Sequence, residues 1–123
     1  MPLFGRSVLI VEDECLLAFD LKNTIQKSRG EVIGPAYSLR SGLSLADDPK
    51  LSLAILDYQL GPETSLPIAV KLQGLQVPFV FYTASADSQL SEVWAQIPVI
   101  EKPASPAMII STLVKASHNS CYH

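Results

Sequence analysis

Short apolar runs and longer amphipathic stretches alternate along the chain, and each suits one kind of element. Residues 7–11, Ser-Val-Leu-Ile-Val, are rich in branched side chains with no polar alternation, as in a strand covered on both faces. Leu17, Leu21 and Ile25 recur at four-residue spacing, joined by Leu16, with Lys22 and Lys27 toward the other side. This predicts a helix over 14–27, ended by Gly30. Residues 31–36 read as a second, shorter strand, and Gly34-Pro35 within it suggests an edge position. A short helix follows over 38–47, closed by Asp48-Pro49, and Leu-Ala-Ile-Leu-Asp (53–57) is the third strand. Gly61-Pro62 marks a turn, after which a helix opens near Ser65 and tolerates Pro67 in its first turn. The aromatic and branched run 78–84, Pro-Phe-Val-Phe-Tyr-Thr-Ala, is the fourth strand. Residues 85–97 carry three serines and the weakest helical pattern in the chain. Pro-Val-Ile-Glu-Lys-Pro (98–103) forms the fifth strand and its exit. A last helix spans 105–116, with Met108, Ile109, Leu113 and Val114 expected on the core side, and 117–123 read as a flexible tail.

Strand and helix taking turns in this way specify βα units, hence an α/β fold with a parallel sheet and helices on both faces. Five strands and five helices use nearly all of the 123 residues. That length suits one core, so 1–123 is read as a single domain with its core over about 7–115.

Composition narrows the function classes. The chain is 48% apolar and 17% charged, with no apolar segment long enough to span a bilayer. Its first residues lack the apolar core of a secretory signal, so the expectation is a cytoplasmic protein without a membrane partner. The net charge of −3, with no block of lysines or arginines, lacks the electrostatic footprint of a nucleic-acid binder. Cys15 and Cys121 have no metal-ligand spacing and read as reduced thiols, Cys15 as a small apolar helix residue and Cys121 in the polar tail.

The chemistry lies at the carboxyl ends of the strands, which in an open parallel sheet face the ligand crevice. Strand one ends in Glu12-Asp13, strand three in Asp57, strand four in Thr83-Ala84 and strand five in Lys102-Pro103. Any one acid there is most simply a helix cap or a solvated turn residue. Polar ends on four strands together call for another reading. Three carboxylates in one crevice repel one another, and a divalent cation with oxygen ligands relieves that conflict. Mg²⁺ suits such a site, because it binds through a few carboxylates, keeps several waters and accepts phosphate oxygens. Lys102 and Thr83 beside it supply a point charge and a hydroxyl donor for phosphoryl oxygens, and the small Ala84 keeps the approach to Asp57 open. The set reads as a carboxylate nucleophile, Asp57, prepared to accept a phosphoryl group.

The segments Val-Leu-Ile-Val-Glu-Asp-Glu (8–14), Ala-Ile-Leu-Asp-Tyr-Gln-Leu (54–60), Phe-Tyr-Thr-Ala (81–84) and Glu-Lys-Pro (101–103), in this order, resemble the receiver domain of bacterial two-component response regulators, the CheY-like family, over about 7–115. The resemblance implies a flavodoxin-like fold with strand order 2-1-3-4-5. It implies that Asp57 takes a phosphoryl group from the phosphohistidine of a sensor histidine kinase or histidine phosphotransferase. Asp13, Asp57 and the backbone carbonyl of Gln59 would ligate Mg²⁺ directly, with Glu12 acting through water. Thr83, Ala84 and Lys102 would serve the phosphoryl group, Gln59 and Ser85 would tune its lifetime, and the Lys102-Pro103 peptide would be cis. The chain would then be no ordinary enzyme but a phosphoacceptor with self-catalysed transfer and autodephosphorylation. Its output would be binding to a downstream protein that the sequence does not identify, with a homodimer also allowed. The face built from the first helix would receive the kinase.

Two features depart from the common pattern. The aromatic residue that usually couples to the strand-four threonine would fall at Val99, which has no ring. Phe81-Tyr82-Thr83-Ala84 is similar to the Phe-x-Thr-Gly/Ala motif of a group of alphaproteobacterial receivers, many of which stand alone, and the chain is read as a complete stand-alone receiver. Phe79, Phe81 or Tyr82 is expected to support a different relay, through the 85–97 segment, and Trp94 within that segment reads either as packing or as a partner anchor. Two other functions compete. A receiver-shaped interaction module would work without phosphorylation. A Mg²⁺-dependent aspartyl phosphatase would carry a second acid where this chain has Gln59.

Overall fold

The computed structural model describes residues 2–84 and 94–119. Its central sheet contains β1 (Ser7–Val11), β2 (Glu31–Ala36), β3 (Leu53–Asp57), β6 (Phe79–Thr83) and β7 (Val99–Glu101), all parallel and in the order β2-β1-β3-β6-β7. This is the expected 2-1-3-4-5 order. The labels shift because two short strands, β4 (Gln59–Leu60) and β5 (Glu63–Thr64), form an antiparallel hairpin that the sequence reading took for a turn alone. Helices α1 (Cys15–Lys27), α2 (Leu39–Leu45), α3 (Leu66–Gly74) and α4 (Pro106–Asn119) cover the two faces. The weak helix expected over 85–97 lies outside the described residues up to Glu92-Val93, and Trp94 to Gln96 form a turn.

The strands divide their side chains between two cores because successive residues point to opposite faces. Leu9, Val11, Ala54, Leu56, Phe79 and Phe81 pack against Ile68, Ala69 and Leu72 of α3. Val8, Ile10, Leu53, Ile55, Val80 and Tyr82 pack against Leu21 and Ile25 of α1 and Ile109 and Leu113 of α4. Both cores use β3, which is buried at every residue, and this explains why its sequence shows no polar alternation. β2 lies at the sheet edge, as its Gly34-Pro35 pair suggested. Gly34 has φ +99°, and a Cβ there would lie 2.8 Å from the Ala36 nitrogen and 3.1 Å from the Ile10 oxygen, so this bend in the edge strand requires glycine.

The sequence reading needs correction at several apolar positions. Met108 is exposed at the start of α4 rather than packed in the core, whereas Ile109 and Leu113 are buried. Leu16 of α1 faces outward although it adjoins the stripe of Leu17, Leu21 and Ile25; Phe19 and Cys15, which the sequence assigned to no face, are exposed as well. Spacing of four residues identifies a helical stripe, but its edges are set by where the neighbouring helix stops. The last helix also runs past its expected end at Ala116. α4 continues through Asn119, and within it Ser117 is buried and its hydroxyl donates to the Val114 carbonyl at 2.8 Å. No described helix is long and apolar enough to cross a membrane.

Candidate phosphoacceptor site

Parallel register brings the polar strand ends to one edge of the sheet. Val11 pairs with Leu56, Asp57 with Tyr82, and Thr83 with Glu101, so the residues that follow each strand emerge side by side. Asp13, Asp57, Gln59, Thr83, Ala84 and Lys102 line one cleft of about 480 Å³, together with Tyr58 and Gly61. Glu12 lies beneath it, 1% exposed. Of the sequence-predicted residues only Ser85 lies outside the described ones. The Lys102-Pro103 peptide is cis.

The site is organised around Lys102. Its Nζ donates to Glu12 Oε1 at 2.8 Å and lies 3.4 Å from Asp57 Oδ2. Glu12 Oε2 accepts the Glu14 N–H at 3.1 Å, so both oxygens of this buried acid are engaged, one by the ammonium and one by the backbone entering α1. The Lys102 ammonium also stands 5.1 Å from the centre of the Tyr82 ring, a favourable cation–π placement. Burial opposes charge on Lys102, but its hydrogen bond to Glu12 and the negative charges of Asp57 and Glu12 outweigh that, and its pKa is raised.

Asp57 has the reverse problem. Burial first, then a shared hydrogen bond and the charge of Glu12, push its carboxyl from the usual 3.8 up to about 7 against the pull of Lys102. One ammonium therefore does not compensate the acids around it. Carboxylate oxygens of Glu12, Asp13 and Asp57 lie within 4.8 Å of one another. This donor set of hard oxygens with surplus negative charge fits Mg²⁺.

Asp13 is exposed and is held from the other side of the cleft. The backbone N–H of Gly61, at the tip of the β4–β5 hairpin, donates to Asp13 Oδ2 at 3.0 Å across a separation of 48 residues. The sequence reading missed Gly61 as a site residue. Gly61-Pro62 was visible as a turn, but a backbone donor leaves no signature in side-chain chemistry. It also missed Tyr58, whose ring meets Phe81 edge-on at 6.3 Å. Phe81 contacts Phe79 at 5.6 Å and Trp94 at 6.1 Å, and Phe79 contacts Trp94 at 5.9 Å. Trp94 is 9% exposed, which makes it packing rather than a surface anchor.

No protein-family model matches the sequence. Individual proteins do. The chain is 32% identical over 116 residues to the phyllosphere-induced regulator PhyR of Methylorubrum extorquens, covering 91% of this chain and 43% of PhyR. It is 30% identical over 88 residues to the transcriptional regulatory protein PdtaR of Mycobacterium tuberculosis, covering 71% of this chain and 43% of PdtaR. The match thus spans less than half the length of these curated relatives. The fold superposes on a CheY-like receiver domain from Methanospirillum hungatei with a TM-score of 0.84 and 20% identity, over 95% of this chain and 97% of that one. With the sheet order and the acidic cleft, these likenesses define the class: the chain belongs to the CheY-like response regulator receiver domains.

Proposed function

We propose that this receiver is a phospho-switch in which Asp57 accepts a phosphoryl group from a histidine donor and the modified surface selects a partner. One observation carries the reading: Asp57 ends a fully buried strand on a cleft floor, with Lys102 Nζ 3.4 Å away and the Glu12 and Asp13 carboxylates around it. An Asp57 carboxylate oxygen attacks phosphorus, the P–N bond to the donor imidazole breaks with its electron pair going to nitrogen, and an acyl phosphate forms. Asp13, Asp57 and the Gln59 carbonyl would hold Mg²⁺, which when bound neutralises the acids and the incoming phosphoryl oxygens. Glu12, with both oxygens already bonded, suits a role through water. Lys102 is placed to follow the phosphoryl charge, and Thr83, 6% exposed at the end of β6, is placed to donate to a phosphoryl oxygen. The aromatic contacts from Tyr58 through Phe81 to Trp94 offer a route out of the site that needs no ring at Val99.

Intact mass after incubation with Mg²⁺ and a small-molecule phosphodonor tests the chemistry. Wild type is expected to gain one phosphoryl group and Asp57→Asn none. Failure of wild type to gain mass or bind Mg²⁺ would leave the phosphorylation-independent interaction module. The phosphatase reading is disfavoured by Gln59, whose amide donates to the Gly61 and Glu63 carbonyls instead of standing as a second acid.

The donor protein is proposed to dock on α1, where Leu16 (76% exposed) and Phe19 (60% exposed) present apolar surface on the helix that begins beside Glu12 and Asp13. A double substitution, Leu16→Asp with Phe19→Asp, is expected to slow transfer from a phosphohistidine protein at least about tenfold, the loss typical of removing buried anchors. Labelling by the small donor should be unchanged. Equal slowing with both donors would place the defect in the site and overturn this assignment.

A further inference from the structure

The β4–β5 hairpin is tied to the acidic cleft by one hydrogen bond and to itself by Gln59. The Gln59 side-chain nitrogen donates to the Gly61 carbonyl at 2.7 Å and to the Glu63 carbonyl at 3.1 Å, both within the hairpin. A primary amide has two N–H groups, and both are used here. Neither remains for a water in the cleft. These bonds fix the tip whose Gly61 N–H reaches Asp13 Oδ2 at 3.0 Å. The same hairpin carries the Gln59 carbonyl, so two of the three ligands proposed above depend on it, one by covalent attachment and one through Gly61.

From this geometry we infer that Gln59 is a positioning residue for Mg²⁺: its side chain braces the hairpin, and the hairpin presents the Asp13 carboxylate and the Gln59 carbonyl to the metal. This rests on the proposed function and adds a residue role to it. The brace matters because Asp13 is exposed and free to rotate unless something holds it. Restricting its rotamers before the metal arrives lowers the entropy cost of binding. The brace also assigns the residue two positions after the phosphoacceptor a task separate from phosphoryl hydrolysis.

Gln59→Met tests this, since methionine keeps the length and removes both donors. Three measurements are made on the full chain: Mg²⁺ affinity by titration, hydrogen exchange of the Gly61 amide in metal-free protein, and labelling and hydrolysis rates up to saturating Mg²⁺. The expected result is a Mg²⁺ affinity about three- to tenfold weaker, the range for losing one or two exposed hydrogen bonds. Gly61 exchange should be faster, and labelling should need correspondingly more Mg²⁺ to reach half its maximal rate. An unchanged thermal midpoint would exclude general unfolding as the cause, and a shifted one calls for the same comparison in Gln59→Asn, too short to brace both carbonyls. Unchanged affinity, or unchanged Gly61 exchange, overturns the inference, as does an effect confined to hydrolysis at saturating Mg²⁺. If wild type itself fails to bind Mg²⁺, the phospho-switch reading falls and this inference with it, an outcome visible before any variant is made.

Discussion

Replacing Lys102 by methionine is expected to destabilise the protein by about 3–5 kcal/mol at neutral pH, the usual cost of removing one partner from a buried ion pair. Methionine preserves most of the aliphatic stem and removes the ammonium together with its placement over the Tyr82 ring, so the loss measures charge. Glu12 is 1% exposed, and Lys102 is the one cation the structure places within an ion-pair distance of both Glu12 and Asp57 among the described residues. Without it, nothing offsets the burial and the neighbouring acid that push the Asp57 carboxyl up. The unfolded chain sheds that proton at the ordinary carboxylate value, so the folded variant loses stability as pH rises from about 4. The deficit should therefore be small at pH 4 and full near pH 8. Mg²⁺ should restore more stability to the variant than to wild type, since it supplies the missing positive charge. Thermal or denaturant melts across pH, with and without Mg²⁺, check this. A deficit independent of both pH and Mg²⁺ would show that packing, not charge, was lost.

Asp57→Asn is expected to act in the opposite direction on stability while abolishing phosphoryl uptake. Asp57 titrates near 7 in the folded protein against 3.8 ordinarily, chiefly because it is buried and because Glu12 lies beside it. Between those values the folded state holds a proton that the unfolded state has released. Stability therefore falls as pH rises through this window, and the full penalty stands above about 7. Asparagine never pays it. Each pKa unit is worth about 1.4 kcal/mol, and part of the gain is offset by burying the new amide. A net stabilisation on the order of 1–3 kcal/mol is expected at pH 8, vanishing by pH 4. Melts of both proteins at the two pH values, in chelator, decide it. Adding Mg²⁺ should close the gap by stabilising wild type more. A variant no more stable than wild type at pH 8 would mean that Asp57 carries no electrostatic strain.

Strain of this kind was partly legible in advance. Three acids and a lysine at strand ends are written in the sequence, and a parallel sheet has only one edge to which they can go. What could not be read was the pairing among them. Glu12 and Lys102 are 90 residues apart, and nothing in either neighbourhood says that the lysine bonds Glu12 at 2.8 Å and stands farther, at 3.4 Å, from Asp57. Trp94 shows the same limit. Its segment has too little periodicity to assign a face, and only contact with Phe79 and Phe81 shows that the indole is buried.

The sequence by itself determined the order of the five sheet strands and four described helices along the chain, and the residues at the sheet's polar edge. Period, strand length and turn chemistry are local, and strand ends inherit their position from topology. Tertiary structure alone decided which charges neutralise which, the outward placement of Leu16, Phe19 and Met108, and the bond from Gly61 to Asp13. Those outcomes depend on distances between segments far apart in the chain, and the last depends on a backbone N–H that every residue but proline possesses. Its identity as a site contact comes only from the hairpin that aims it.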